Sequence, residues 1–559
     1  MSHPPLPTER TDLLVIEAPG KVQRLRNFCS SRGWSCNVQA TSGRLYDLPE
    51  THLGVDLTTH GITHRVSISP SRLEHLRNAV LAANRIWVMT DPDDEGHWIG
   101  ADVVALAPAS RSKYTIFRAY LGGLSLSTLD AAFTQAEPYR GGAEESAVAR
   151  RVFDREVAAL YSSVGPSVRP GETRGVVGRV LTPTLSALSR RDIPSAYITR
   201  NLQDRDLGGD FEAVIGLKPG SSATPQCLQE ELADLPDIVI RRQAGAPRLS
   251  RRRIWSGPQA LEGIASQLSM PVNAVARTLQ NLYERGCVSY PRSESGALDA
   301  EQIDGLARLA QKLGAQGATS ARSAIQELVS TYNGHQGLIP LVDDIPLNEP
   351  LAHLGPEDQA LVVLTKHSFA AANPDYRESI ELGEPTPSAG AARWAAWARV
   401  RDLTIRFLRK SRIQGYRQAG QPVPILHGIA GPPPHLVDRG PTTALLLRPD
   451  HLVCRTMLRY DLGRPSTLAL HSDKIAGHYL DSRGELNKRA QQALQRAGML
   501  TPRLLDPEIA SRLTETLGRH DLGSSPSRVA QALNIAELDR DIGNERRTPE
   551  TEINPVWQT

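Results

Sequence analysis

Long apolar runs are missing from this sequence. No stretch approaches ~18 uninterrupted apolar residues, the length a helix needs to span a bilayer, so a membrane-crossing helix is excluded. Cysteine is scarce and scattered. Cys29, Cys36, Cys227, Cys287 and Cys454 form no CxxC pair, which argues against a structural zinc module. Their odd number and wide spacing argue against a disulfide framework and favour reduced, cytosolic thiols. Aromatics make up only 5% of the chain, and neither sign of charge dominates: 64 basic and 61 acidic side chains leave a net charge of +3. Bulk charge therefore does not mark a nucleic-acid binder, and any DNA would need positive charge focused in a channel. The opening MSHPPLPTERTD is polar and proline-rich, with no apolar core, so it does not read as a signal peptide. No GxxxxGK loop is present, which argues against ATP use.

What the sequence does contain is several domains' worth of globular pattern. Its 559 residues exceed one ordinary core, and three to five domains are expected. DLLVIE (12–17), RIWVMT (85–90) and KYTIFRAY (113–120) read as buried strands alternating with helices, the signature of an α/β unit with a mainly parallel sheet. The first helix spans KVQRLRNFCSSRG, and a later one follows Ser125 or Ser127 as its cap. Residues 144–165 and 175–190 are helical. From 196 to 250 strand-like runs such as FEAVIGL prevail. Helices return in PQALEGIASQL, NAVARTLQNLYERG and DAEQIDGLARLAQKLGA, and again over 466–540. Residues 380–445 are rich in Pro, Gly and Ala, and HGIAGPPPHL reads as loop.

Two clusters carry chemistry. Asp91, Asp93 and Glu95 lie in TDPDDEG directly after a buried strand, where open α/β sheets place ligands. Three carboxylates there, with Glu17 ending the first strand, suit a hard divalent cation such as Mg²⁺; the bland reading is an acidic, solvated loop. Lys21, in EAPGK, sits near a helix start where a lysine can hold phosphate, though most helical lysines are merely solvated. In ERGCVSYPRSES (284–295), Gly286 ends a helix and Pro291 stiffens the backbone after Tyr290, with Arg292 two positions on. A tyrosine so placed can attack phosphorus, and a cation beside it offsets the developing charge. Composition alone does not separate Tyr290 from the other twelve tyrosines.

Motif order does separate it. LLVIEAPGK with TDPDDEG resembles the Toprim metal-binding domain. ARRVFDR (149–155), GRVLTPTL (178–185), LYERGCVSYPRSES, GHQGLIPL (334–341) and DLGRPST (461–467) resemble, in order, motifs of the type IA DNA topoisomerases. The YPRS and TPTL forms look closest to topoisomerase III-like members, whereas GRPST leans toward topoisomerase I. The resemblance implies a multidomain α/β plus α and β protein, a Toprim domain followed by a toroidal core. Its expected parts are a disordered leader (1–10), the Toprim domain (11–138), a helical domain IV (139–195 and 440–540), a β-rich gate domain II (196–250 and 350–439), a helical domain III with the catalytic tyrosine (251–349), and a disordered tail (541–559).

Carried over position by position, the resemblance makes Tyr290 the nucleophile and Arg292 its adjacent cation. Lys21 contacts the scissile phosphate, Glu17 belongs to the catalytic set, and His335 hydrogen-bonds near the active site. Glu17, Asp91, Asp93 and Glu95 hold Mg²⁺. Arg150, Asp154 and Arg179 match DNA-binding positions, and Arg151 and Arg155 join them in a groove for single-stranded DNA. The implied activity is ATP-independent cleavage through a 5′-phosphotyrosine, strand passage and religation, relaxing negative supercoils or decatenating DNA. The implied setting is a bacterial cytoplasm, on nucleoid or plasmid DNA, with a monomeric enzyme and a helicase or single-strand-binding protein as partner.

Four positions depart from the family pattern: Asp94 stands where a basic residue is usual, His97 where a glutamate is frequent, Arg44 replaces a histidine, and Leu181 replaces a glutamine. Asp94 is expected to add negative charge beside the phosphate path, and Leu181 to remove a polar DNA contact. Two rival readings follow: a catalytically impaired DNA-binding paralogue, and a Toprim nuclease or primase.

Overall fold

The computed structural model describes residues 6–108, 115–121, 126–162, 177–204, 210–219, 225–236, 238–239, 254–298, 300–312, 337–372, 379–381, 387–401, 403–410 and 435–538. The expected tail, 541–559, lies outside them, as do residues 1–5 of the expected leader.

The first unit is a five-stranded sheet in the order β2 (Asn37–Ala40), β1 (Asp12–Ile16), β5 (Arg85–Met89), β6 (Thr115–Arg118), β7 (Glu137–Pro138). The first four strands are parallel, and the two-residue β7 closes the edge antiparallel. Every residue of β1 is buried, because helices cover both faces of the sheet. Alternation divides its side chains between them. Leu14 and Ile16 pack with Leu25 and Phe28 of α1 (Val22–Ser31). Leu13 and Val15 pack with Leu76 and Val80 of α2 (Pro70–Ala82). A short hairpin, β3 (Tyr46–Asp47) with β4 (Val66–Ser67), lies between. The helix α3 (Asp94–Ala105) follows β5, and α4 (Leu126–Thr134) follows β6. Ser127 is inside α4 rather than its cap, and Ser125 lies outside the described residues.

The helix expected over 144–165 is α5 (Glu145–Val157), which widens into a π-helical turn at Ala158–Ser162. The one expected from 175 begins late, as α6 (Leu181–Ser189), after Gly178 N–H has bonded the Thr182 hydroxyl. A six-stranded antiparallel sheet follows, ordered β10 (Ile238–Val239), β13 (His435–Leu446), β8 (Ala196–Asp204), β9 (Asp210–Leu217), β12 (Leu403–Lys410), β11 (Ser379–Glu381). The register of β13 shifts between Asp438 and Thr442, where Pro441 has no N–H to give the ladder. Two helices the sequence pattern did not disclose cover this sheet: α7 (Pro225–Ala233), and Ala389–Val400, capped by Ser388. Their Leu228, Leu232 and Trp394 form its core with Ile198, Ile215 and Leu403. HGIAGPPPHL lies outside the described residues except for His435 and Leu436, which open β13 rather than a loop.

The tyrosine-bearing unit comprises α8 (Gly257–Leu268), α9 (Val272–Glu284) and α10 (Ala300–Lys312). A capping box between Ser256 and Gln259 starts α8, satisfying two N–H groups that a helix end leaves bare. The helix Pro356–Ala372, expected with the sheet-rich region that begins at 350, packs instead on α8 and α9. Helices Pro449–Arg459 and Pro465–Tyr479 share that same core. Helices Pro507–Gly518 and Ser525–Ile535 form a second core with α5. The segment expected as one unit over 440–540 is thus split between two cores by where its apolar faces point. No helix among the described residues is long and apolar enough to cross a membrane.

Candidate active site

The site forms where the carboxyl ends of β1 and β5 meet the turn after α9. Asp93 caps α3, accepting from Gly96 N at 2.8 Å. The turn is so tight that a β-carbon on Gly96 would stand 2.1 Å from the Asp91 carbonyl oxygen. Arg118, buried at the end of β6, donates to the carbonyls of Val88 (3.1 Å), Thr90 (2.8 Å) and Asp91 (3.0 Å) and so fixes the acidic loop from behind. Sequence reading passed over Arg118. Its one signal was a cation inside an apolar strand.

The helix α9 ends as expected: Gly286 adopts φ +69°, which an L side chain resists. The chain then locks onto a neighbouring segment. Ser289 N donates to the Ile339 carbonyl at 3.0 Å, and the Ser289 hydroxyl donates to the Gly337 carbonyl at 2.8 Å. Behind the turn, a β-carbon on Gly257 would collide with the Pro291 carbonyl oxygen at 2.0 Å. On this braced turn Tyr290 is 3% exposed, and its hydroxyl donates to Asp93 Oδ2 at 2.7 Å. Arg292 Nη1 lies 4.0 Å from the same oxygen. Lys21, fully buried, donates to Asp91 Oδ1 at 2.5 Å and stands 4.3 Å over the ring of Tyr283. Tyr283 in turn meets the Tyr290 ring edge-on at 5.4 Å and donates its hydroxyl to the Leu121 carbonyl at 3.1 Å. The structure therefore brings together Tyr290, Arg292, Lys21, Glu17, Asp91 and Asp93. Tyr283 was missed, because a tyrosine on the apolar face of α9 looks like core. His335 lies outside the described residues.

Burial governs the protonation of these groups. It pushes the Tyr290 phenol well above its ordinary range, and Asp93 and Asp91 add to the effect. It pushes Glu17 up to about 8, again with Asp91 and Asp93. Burial disfavours the Lys21 ammonium, but the Asp91 carboxylate outweighs it and holds the amine above its usual value.

Among the described residues no three His, Cys, Asp or Glu side chains converge as a ready metal cage. Asp91 faces Lys21, Asp93 faces Tyr290, and Glu95 is drawn 2.5 Å from Arg44 Nε. Yet one oxygen of Glu17 is buried without a hydrogen-bond partner, and Glu17, Asp91 and Asp93 repel one another. Those three suit a cation; Glu95 is turned toward Arg44, which also reaches Asp47 at 3.1 Å.

The arginines expected to line an open groove are largely engaged. Arg150 pairs with Asp94. Arg151 Nε meets Asp47 at 3.0 Å, Arg155 is buried, and Arg179 grips Asp154 through two bonds of 2.9 and 3.0 Å. Asp94, expected to add negative charge beside the phosphate path, is paired with Arg150 in the structure. Against burial, Arg150 and Arg464 hold its carboxyl below the usual range. Leu181 begins α6 and packs against the large core. Arg464, within DLGRPST, also belongs here and was not singled out.

No family model matches the sequence. Over 348 residues the chain is 24% identical to a "DNA topoisomerase I, plasmid" of Xylella fastidiosa, covering 59% of this chain and 51% of that protein. Over 350 residues it is 23% identical to a DNA topoisomerase 1 of Aquifex aeolicus, covering 61% and 64%. The chain thus spans between half and two thirds of these relatives. Full-length topoisomerase I of Thermotoga maritima superposes with a TM-score of 0.61 at 16% identity, covering 95% of this chain and 90% of that one, and shows the same fold. The chain is thus similar in sequence to DNA topoisomerases 1 and shares the fold of the Thermotoga topoisomerase I.

Proposed function

We propose that the chain is an ATP-independent type IA DNA topoisomerase, with the first unit acting as its Toprim domain and the six-stranded sheet as part of the gate of a toroid. The observation that carries this is the 2.7 Å hydrogen bond from Tyr290 to Asp93, 197 residues apart in sequence, with Lys21 and Arg292 beside it. A buried phenol is a poor nucleophile until a base takes its proton and cations offset the charge that develops. Tyr290 attacks the phosphorus of single-stranded DNA and passes its proton to Asp93. The bond to the 3′-oxygen breaks, and that oxygen takes up a proton from the site's carboxyl groups. Lys21 and Arg292 stabilise the extra charge on the phosphoryl oxygens, and the reverse step reseals the strand. Glu17, Asp91 and, before it takes the proton, Asp93 would hold Mg²⁺, which supplies charge neutralisation at the phosphodiester. The energy of the broken bond is kept in the phosphotyrosine, so no nucleotide is needed.

The test is Tyr290→Phe in a Mg²⁺-dependent assay on negatively supercoiled plasmid, with denaturant trapping of labelled DNA. Relaxation and covalent trapping should fall by at least ~10⁴-fold while single-strand binding persists. Relaxation by the phenylalanine variant would overturn the proposal. The occupied arginines favour a second reading, a DNA-binding paralogue that does not cleave. That reading requires the wild-type chain to bind DNA and leave no covalent adduct.

A further inference from the structure

Three arginines from distant parts of the chain meet at the C-terminal half of helix Pro507–Gly518. Arg179 Nη1 donates to the Thr514 hydroxyl at 3.1 Å, and Arg464 Nη2 to the Thr514 carbonyl at 3.4 Å. Gly518 makes room for Arg464, since a β-carbon there would stand 2.7 Å from Arg464 Nη2, and Arg150 Nη1 lies 3.9 Å from the same point. Helix C-termini attract cations, yet three in one place repel, and each has recruited a carboxylate. In every pair the arginine is the sheltered partner. Arg150 is 11% exposed against 30% for Asp94, Arg464 23% against 52% for Glu294, and Arg179 6% against 42% for Asp154. The arginines form a floor, and the carboxylates sit on it facing water. Arg464 also keeps its Nε buried without a hydrogen-bond partner, so the floor has donor capacity that its present partners do not use.

Two of these carboxylates come from the catalytic elements. Asp94 is the first residue of α3, next to Asp93, and Glu294 follows Tyr290 by four positions. We propose that Asp94 and Glu294 are resident stand-ins for DNA phosphates: they occupy Arg150 and Arg464 in the resting protein and yield them to the backbone of single-stranded DNA. The idea rests on the topoisomerase reading above and adds a residue-level control of affinity to it. Asp94 and Glu294 each take a single guanidinium bond, and a phosphodiester oxygen can accept the same bond. Each strand that binds must displace an internal anion as well as solvent ions, which weakens affinity and flattens its salt dependence.

The experiment is a fluorescence-anisotropy titration of the full chain with a 5′-labelled oligothymidylate, at several KCl concentrations, for wild type, Asp94→Asn and Glu294→Gln. Each variant should bind about three- to tenfold more tightly near 0.1 M salt, the scale of one exposed or half-buried ion pair. Its log–log salt slope should steepen by about 0.7 for each arginine released. A purely structural role for either carboxylate predicts a change in melting temperature with no steeper slope. If Asp94→Asn melts early, Glu294→Gln, altered at a largely exposed side chain, carries the test. Equal or weaker binding by folded variants overturns the proposal and leaves the topoisomerase reading intact. Absence of single-strand binding by the wild type brings down both.

Discussion

Two sets of ion pairs flank the tyrosine, and they are built oppositely. Lys21 and Asp91 are 1% and 2% exposed, 2.5 Å apart, beneath the ring of Tyr283. Arg179 and Asp154 are also paired, at 2.9 Å, but the carboxylate is 42% exposed. When both partners are dry, neither can leave without stranding a buried charge, so the pair is a permanent fixture. When one faces water, it is hydrated as it departs, and the pair contributes little to stability. The Lys21–Asp91 pair is therefore locked, and pairs whose carboxylate faces water are exchangeable.

The contrast can be broken first at Lys21. Lys21→Met leaves Asp91 buried without its cation and should lower stability by about 3–5 kcal/mol, read as a fall in the urea midpoint with an unchanged slope. A loss below 1 kcal/mol would show that the dry pair is as replaceable as the wet one. Next is Glu17, held at about 8 against an ordinary value of 4.5. The folded protein keeps a proton there that the unfolded chain has lost, so this contribution is present below about pH 4.5 and disappears as pH rises through 8. In EDTA, Glu17→Gln should match wild type near pH 5 and melt several degrees higher at pH 9; parallel melting curves across that window would discard the buried, proton-holding Glu17. The smallest effect is expected of Asp154→Asn, under about 1 kcal/mol in the same denaturation experiment.

Three strands of the parallel sheet were legible as short apolar runs, two of them ended by carboxylates, whereas β2, NVQA, has no such run and was not read. The tyrosine turn was legible for a similar reason: Gly286 and Pro291 mark the backbone on either side of Tyr290. What stayed hidden was pairing at a distance. Nothing local in DPDDEG says that Asp94 will meet Arg150 or that Asp93 will meet Tyr290. The helix Ala389–Val400 was hidden differently: its alanine-rich sequence carries a weak apolar stripe, and two tryptophans provide most of its grip on the sheet. Nothing local in Pro356–Ala372 says that it will pack on α8 and α9.

Beside the side-chain contacts of the site, two of the contacts that dock the tyrosine unit on the first unit share one further property. Arg24 reaches the Arg285 carbonyl, and Tyr283 reaches the Leu121 carbonyl. Arg118 likewise holds the acidic loop by the carbonyls of Thr90 and Asp91. A carbonyl oxygen is supplied by any residue, so each grip constrains one side chain and leaves the identity of its partner free. A grip made this way tolerates a changed partner residue while its geometry stands still.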